Sequence, residues 1–371
     1  LRILYFTRDY TPHDHRFLSS LAKTDHEVFS LRLERRSRQL EDRALPYEVQ
    51  QVQWKGGHGP VGWRDYPVLW LDLKRVLRTI KPDLIHAGPI PNVAFLAALS
   101  GFQPLVSMSW GSDLLRDVDQ HKDQRWAARY ALRHTKVLVG DCLAVRRKAV
   151  NLGFPAERVV LFPWGVDLEE FSPPGNEEYP GDFRMRTGWQ DAFVVLSLRS
   201  WEPVYGVDVV VRGFVLAAQK IPDLRMILLG GGSQTKLILD TIRRSGMEER
   251  VYVGGQVKNS QLPGFYQAAD LYLSASHSDG SSVSLMEALA CGRPVLVSDI
   301  SGNREWIENS SAGQLFPDGD EAALADGIVM AYRQRQELLA MQQAARQLAE
   351  ERADWNKNFQ KLLGAYEMAM E

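Results

Sequence analysis

Ser278-Asp-Gly-Ser-Ser-Val-Ser-Leu-Met-Glu-Ala-Leu-Ala-Cys-Gly-Arg-Pro-Val295 reads as a turn, a short helix and the entry to a strand. Asp279 sits among turn formers. Glu287 lies within the apolar run Val283, Leu285, Met286, Ala288, Leu289 and Ala290, which stops at Gly292 with Pro294 beyond. A carboxylate among such neighbours is costly unless something pairs with it. Helical side chains lean toward the N-terminus, so Glu287 points back to the loop that holds Asp279. The backbone N–H groups of Gly280, Ser281 and Ser282 at that end suit an anion. Two carboxylates for hydroxyls beside an anion-binding end point to a phosphorylated sugar. A helix cap or an Arg partner for Glu287 accounts for the same residues, and both readings are open.

Working outward, strand and helix signals alternate along all 371 residues, the pattern of parallel sheets covered by helices. The first half carries strand signals at 2–6, 27–33, 49–54, 83–86, 105–109, 137–139 and 159–162, with helices near 15–24, 65–80, 91–100, 123–134 and 143–152. A loop rich in Pro, Gly and acidic residues, 171–181, interrupts the series and is the expected linker. The second series has strands at 193–198, 225–229, 250–253, 271–274 and 294–298, and the tail after Glu321 is helical. The chain is too long for one ordinary core. We expect an α/β protein of two Rossmann-like doubly wound domains facing across a cleft: 1–170, 171–350, and a helix at 351–371 that packs back on the first domain.

Hydrophobic content of 45% and charged content of 24% describe a globular protein, and a formal charge of −2 gives no reason to expect nucleic acid. Cys142 and Cys291 form no metal spacing and suggest a reducing compartment. Leu1 to Phe6 reads as a strand followed by Arg8 and Asp9, so no signal peptide is expected and the predicted location is cytoplasmic. One cluster departs from the mixed charge: Arg32, Arg35, Arg36, Arg38 and Arg43, interrupted by Glu34 and Glu41. It reads either as a solvated face or as a contact for anionic headgroups at the inner membrane face.

With these pieces assembled, the chain resembles the retaining glycosyltransferases of family four, which have the glycosyltransferase-B fold. The resemblance covers nearly the whole chain and is densest from Pro163 to Trp306. Its most specific part is the carboxylate pair Asp279 and Glu287 ahead of the small-residue helix and the Gly-x-Pro-Val strand entry. Supporting it are Pro163-Trp-Gly-Val-Asp167 with Phe171, Leu229-Gly-Gly-Gly-Ser233, Ala268-Ala-Asp-Leu271, Ser109-Trp-Gly-Ser-Asp113, and Ser301-Gly-Asn303 with Glu305.

The resemblance implies transfer of a sugar from a nucleotide-sugar donor to an acceptor, with anomeric configuration retained and no metal or other cofactor. A departing nucleoside diphosphate gathers negative charge and calls for cations and aimed N–H dipoles. By resemblance Glu287 holds the ribose, Asp279 meets hydroxyls of the sugar, the amides of Gly280, Ser281 and Ser282 face the phosphates, and Arg199 forks onto the diphosphate. Val257 presents its backbone to the base, or is an ordinary loop residue. No dedicated protein nucleophile is implied, and the acceptor attacks from the face of the leaving group. Lipid-linked sugars and polysaccharides are among the acceptors left open.

Three departures matter. Asp279 stands where the family usually has Glu. Tyr205 stands before Gly206 where the family has Lys, so one cation at the leaving phosphate is absent. The first-strand loop carries His13, His15 and Arg16 where paired glycines are frequent; these contact phosphate or acceptor, cap the next helix, or remain in solvent. With Asp113 they mark the acceptor side, although Trp110 replaces a frequent His. A non-catalytic sugar-nucleotide binding protein of the same fold is the alternative. Asp117-Val-Asp119 lacks the strand end that a metal pair needs, His86 reads as a satisfied structural histidine, and Trp126 and Trp355 read as packing.

Overall fold

The computed structural model of the chain describes residues 1–35, 41, 43–175 and 179–371. It contains two compact units, one of Leu1–Pro163 with Asn356–Glu371 and one of Trp164–Trp355. The chain thus leaves the first unit ahead of the 171–181 loop and returns to it after Trp355.

In the first unit, strands β1 (Arg2–Thr7), β2 (Glu27–Arg32), β3 (Gln50–Gln51), β4 (Leu84–Gly88), β5 (Leu105–Met108), β6 (Val137–Gly140) and β7 (Val159–Leu161) form one parallel sheet. Their order, β3-β2-β1-β4-β5-β6-β7, is that of a doubly wound fold. The central strands are apolar runs buried on both faces, as a sheet covered by helices requires. One face of β1, Leu4 and Phe6, joins the core built with Leu69, Leu73, Leu96 and Ala128. On the other, the Tyr5 hydroxyl donates to Asp14 at 3.0 Å, and the Tyr5 ring packs edge-on to His86 at 4.8 Å. The helix Trp355–Met370 supplies Tyr366 to this unit, whose hydroxyl lies 2.6 Å from His86 Nδ1. His86 is therefore a structural histidine, and burial pushes its pKa down from 6.5 to about 3.

In the second unit, β8 (Phe193–Ser197), β9 (Leu224–Leu229), β10 (Val251–Gly255), β11 (Leu271–Ser274), β12 (Val295–Ser298) and β13 (Gly313–Phe316) form a parallel sheet in the order β10-β9-β8-β11-β12-β13. Two elements were not expected. The edge strand β13 has only one buried residue, Phe316, so it lacks the apolar run that marks the others. The helix Tyr179–Thr187 begins in the expected linker with Pro180 in its first turn, where a missing N–H does no harm. Among the described residues no helix is long and apolar enough to cross a membrane.

Gly206 opens the helix Val207–Ala218 with φ 56°, and a Cβ there would lie 2.1 Å from the Ala275 carbonyl oxygen at the end of β11. This glycine lets the loops after β8 and β11 touch backbone to backbone. Gly206→Ala is expected to lower the urea midpoint, and the unfolding free energy by more than the roughly 1–2 kcal/mol of a left-handed non-glycine residue alone. An unchanged midpoint would show that the contact is dispensable.

Candidate functional site

The chain leaves β8 toward β9 on one side, while β11 pairs with β8 on the other. Their carboxyl ends make the switch point where doubly wound sheets bind ligands. Arg199 follows β8, and Asp279 to Ser282 follow β11, so the topology alone brings them together.

The Arg199 side chain is only 13% exposed. Its Nη2 donates to Asp279 Oδ2 at 2.6 Å, and Nη1 donates to the hydroxyls of Ser282 and Ser284 at 2.9 and 3.0 Å. The guanidinium carbon sits 4.3 Å from the centroid of the Tyr205 ring. Burial alone would lower the Arg199 pKa, but Asp279, aided by Tyr205 and Tyr272, raises it above its ordinary value. Its Nε is buried and has no hydrogen-bond partner among the described residues. An unused buried donor in a charged group is rare and calls for an explanation.

Ser284 joins this shell to Glu287, one helical turn further along Val283–Ala290. The Tyr272 hydroxyl donates to Ser284 Oγ at 2.9 Å, while that of Tyr266 donates to the Ser284 carbonyl at 3.0 Å and to Glu287 Oε2 at 2.8 Å. Glu287 is buried, as its neighbours require. Burial, then the adjacent Glu287 carboxylate, holds the Tyr266 hydroxyl well above its usual pKa and pushes the Cys291 thiol up to about 12. The Tyr266 hydroxyl thus orients the Glu287 carboxylate.

The loop itself is packed from outside. Asp279 Oδ1 accepts from the Gly280 N–H at 3.0 Å. Gly302 approaches so closely that a Cβ would lie 2.2 Å from the Gly280 carbonyl oxygen. Ser281 and Ser282 are buried, and Trp306 Nε1 donates to Ser281 Oγ at 3.5 Å. The glycine loop after β9 is tied in as well: Trp201 N–H donates to Gly231 O at 3.1 Å, and Ser233 N–H donates to Glu202 at 3.0 Å. Val257 belongs to the loop after β10, at the far side of the sheet from β11 and outside this hydrogen-bonded cluster.

The first-unit candidates lie on the helix Pro12–Leu21 and on the loop after β5. The His13 ring lies 5.3 Å from that of Trp110. His15 Nδ1 is 2.7 Å from the Tyr10 hydroxyl, and burial, then Arg43, lowers its pKa. Arg16, half-buried, lies on the same helix, Pro12–Leu21. Thr11 and Asp14, not the histidines, supply the capping box of that helix. Asp113 is buried with both oxygens engaged, one by the Ser109 hydroxyl at 2.7 Å and one by the Ile90 N–H at 2.8 Å. It ties the loops after β4 and β5, and burial raises its pKa from 3.8 to about 6. Asp119 of the discounted acidic pair is held by Lys148 at 2.5 Å. Of the basic cluster, Arg36 and Arg38 lie outside the described residues; Arg32 pairs with Asp9 at 3.4 Å and Arg43 with Glu41 at 2.7 Å.

Sequence reading missed Tyr266, Tyr272 and Ser284. The i, i+3 spacing of Ser284 and Glu287 was the one signal that could have found any of them.

Two family models match, "Glycosyltransferase Family 4" over residues 13–170 and "Glycosyl transferases group 1" over residues 182–348. The D-inositol 3-phosphate glycosyltransferase of Xylanimonas cellulosilytica is 29% identical over 63% of this chain and 58% of its own length. The phosphatidyl-myo-inositol mannosyltransferase of Mycobacterium leprae is 30% identical over 62% of this chain and 58% of its own. The chain thus spans less than two thirds of these curated relatives. HepE of Anabaena in complex with UDP-glucose superposes with a TM-score of 0.81 at 19% identity, covering 99% of this chain and 100% of HepE. Sucrose-phosphate synthase of Thermosynechococcus elongatus gives 0.79 at 16% identity, covering 99% and 98%. The fold is accordingly glycosyltransferase-B.

Asp113 provides a pH test. Its folded-state pKa of about 6 against an ordinary 3.8 means that the folded protein binds this proton more readily than the unfolded chain. The ionised form costs stability above about pH 6, and that cost fades as the pH falls toward 3.8. Wild type should therefore gain stability relative to Asp113→Asn between about pH 6.5 and 4 in denaturant titrations. A difference that stays flat with pH would contradict the assignment.

Proposed function

The chain belongs to the group 1 glycosyltransferases of family four, and from that premise we propose that it moves a sugar from a nucleotide-sugar donor to an acceptor with retention of configuration and without a metal. The observation that carries this reading is the buried Arg199, held at the switch point by Asp279, Ser282 and Ser284, with its Nε unused. An anionic oxygen is the natural partner for that donor.

In this reading the bond from the anomeric carbon to the diphosphate breaks while the acceptor attacks the same face of the sugar. Arg199 meets the charge that gathers on the departing diphosphate. Asp279 keeps the guanidinium charged and aimed, and the Tyr205 ring packs against it. The Ser281 and Ser282 amides take the remaining phosphate oxygens, the Gly280 N–H being engaged by Asp279, and Asp279 also meets the sugar hydroxyls. Glu287 accepts from the ribose, with Tyr266 fixing its orientation. The base rests by Val257. His13, His15 and Arg16 serve the acceptor, while Asp113 holds the loops they face. The acceptor is a phosphorylated or lipid-linked sugar alcohol or a growing polysaccharide, by likeness to relatives named for inositol phosphate and phosphatidyl-inositol.

A second reading, binding without transfer, is favoured by one feature: Tyr205 brings no positive charge to the place where the family has Lys. It predicts nucleotide binding that depends on Glu287 but releases no diphosphate with any acceptor.

Thermal melts with a panel of nucleoside diphosphates and nucleotide sugars separate these outcomes. One nucleotide should stabilise wild type, by about 2.7 kcal/mol at a hundredfold its dissociation constant, and leave Glu287→Ala unmoved. If no nucleotide shifts either protein, the donor reading falls. In turnover assays Arg199→Ala should lower kcat by roughly 10²–10³, as removal of one preorganised donor does elsewhere. Tyr205→Phe should retain most activity and Tyr205→Ala should not. The product anomer read by NMR tests retention, and insensitivity to a chelator tests metal independence.

A further inference from the structure

Trp126 was expected to pack, yet it is 60% exposed, and Trp63 is 45% exposed. The two indoles flank one buried ring: Trp63 lies 5.8 Å from Phe95, and Trp126 lies 5.3 Å from it on its other contact. Trp63 Nε1 donates to Asp123 Oδ2 at 3.0 Å, tying Trp63 to the helix Lys122–Arg133 that carries Trp126. Both therefore belong to one surface of the first unit. Leu71, on the helix Tyr66–Ile80 that follows Trp63, adds a side chain 61% exposed.

The helix Lys122–Arg133 turns Ala127, Ala128, Ala131 and Leu132 inward. Its exposed positions Lys122, Arg125, Trp126, Arg129 and Arg133 recur at helical spacing and share one face. The acidic residue of the same helix, Asp123, is engaged by Trp63. A face kept solvated for its own sake has no use for two outward indoles, and an ordinary core would not leave them outside. Indoles beside a stripe of cations match the boundary of an anionic bilayer, where the ring sits at headgroup depth and each cation is attracted to acidic lipid. The Arg32 and Arg43 cations, by contrast, are already paired with Asp9 and Glu41.

We infer that this Trp63–Trp126 face, with the cationic stripe of the helix Lys122–Arg133, is a docking surface for membranes rich in anionic lipid. The inference does not depend on what the Arg199 site binds.

The test is flotation of the full chain with vesicles of phosphatidylcholine alone or mixed with phosphatidylglycerol. Binding should require phosphatidylglycerol and weaken with salt. Arg125→Gln with Arg129→Gln should weaken partitioning about 25-fold, at about fivefold per cation removed. Trp126→Ala should weaken it further, and brominated lipid should quench tryptophan fluorescence in wild type more than in Trp126→Ala. Unchanged melting temperatures and nucleotide-induced shifts would confirm that the variants fold. The inference is overturned if wild type does not float with anionic vesicles at low salt, or if the Gln variant floats as well as wild type. Retention on nucleic acid without vesicle binding would overturn it too.

Discussion

A guanidinium taken out of water must be compensated, and Arg199 imposes that demand on the second unit, at every nitrogen but Nε. One carboxylate, two hydroxyls and one aromatic face answer it. These partners come from the ends of β8 and β11 and from the first turn of the helix Val283–Ala290. They meet only because β11 lies beside β8 in the sheet and because Gly206 lets the two loops close on each other. Removing Asp279 alone would leave a buried unpaired charge, the costly case for ion pairs in an interior. The pair is therefore better understood as a requirement of placing a cation there than as a source of stability.

The parallel strands were legible because burial on both faces demands apolar runs, and β1, β8 and β11 have them, while His86 alone interrupts that of β4. The Asp279 and Glu287 helix was legible because a charge among core residues is conspicuous. β13 was not, since an edge strand with a single buried residue has no such run. Neither were Tyr266 and Tyr272, aromatic residues on a helix and a strand whose sequence context is that of ordinary core; only the fold aims their hydroxyls at Ser284 and Glu287. Asp113 shows the opposite error. Its position in a motif suggested a ligand, but its oxygens serve the Ser109 hydroxyl and the Ile90 N–H. Trp126 failed for a related reason, because the helix buries its alanines and leaves its largest residue outside.

The first unit carries another set of buried ionisable groups. Asp14, Asp113 and His86 are all shielded from solvent and hydrogen-bonded to neutral partners. Desolvation accordingly dominates, raising both carboxyls from 3.8 to about 6 and lowering the histidine to about 3. As acid is added the carboxyls favour the folded state and the histidine opposes it, so their effects on stability partly cancel.

The 280 positions between His86 and Tyr366 bear on how the chain is made. A ribosome delivers β1 to β7 first, then the whole second unit, and the helix Trp355–Met370 after both. The second unit is one unbroken stretch and can form as it emerges. The first unit waits for its closing piece, with His86 and its aromatic neighbours lacking the Tyr366 side of their core until then. A nascent chain stalled shortly after Trp355 would thus carry a finished second unit and an unfinished first one, the kind of partly exposed core that chaperones recognise.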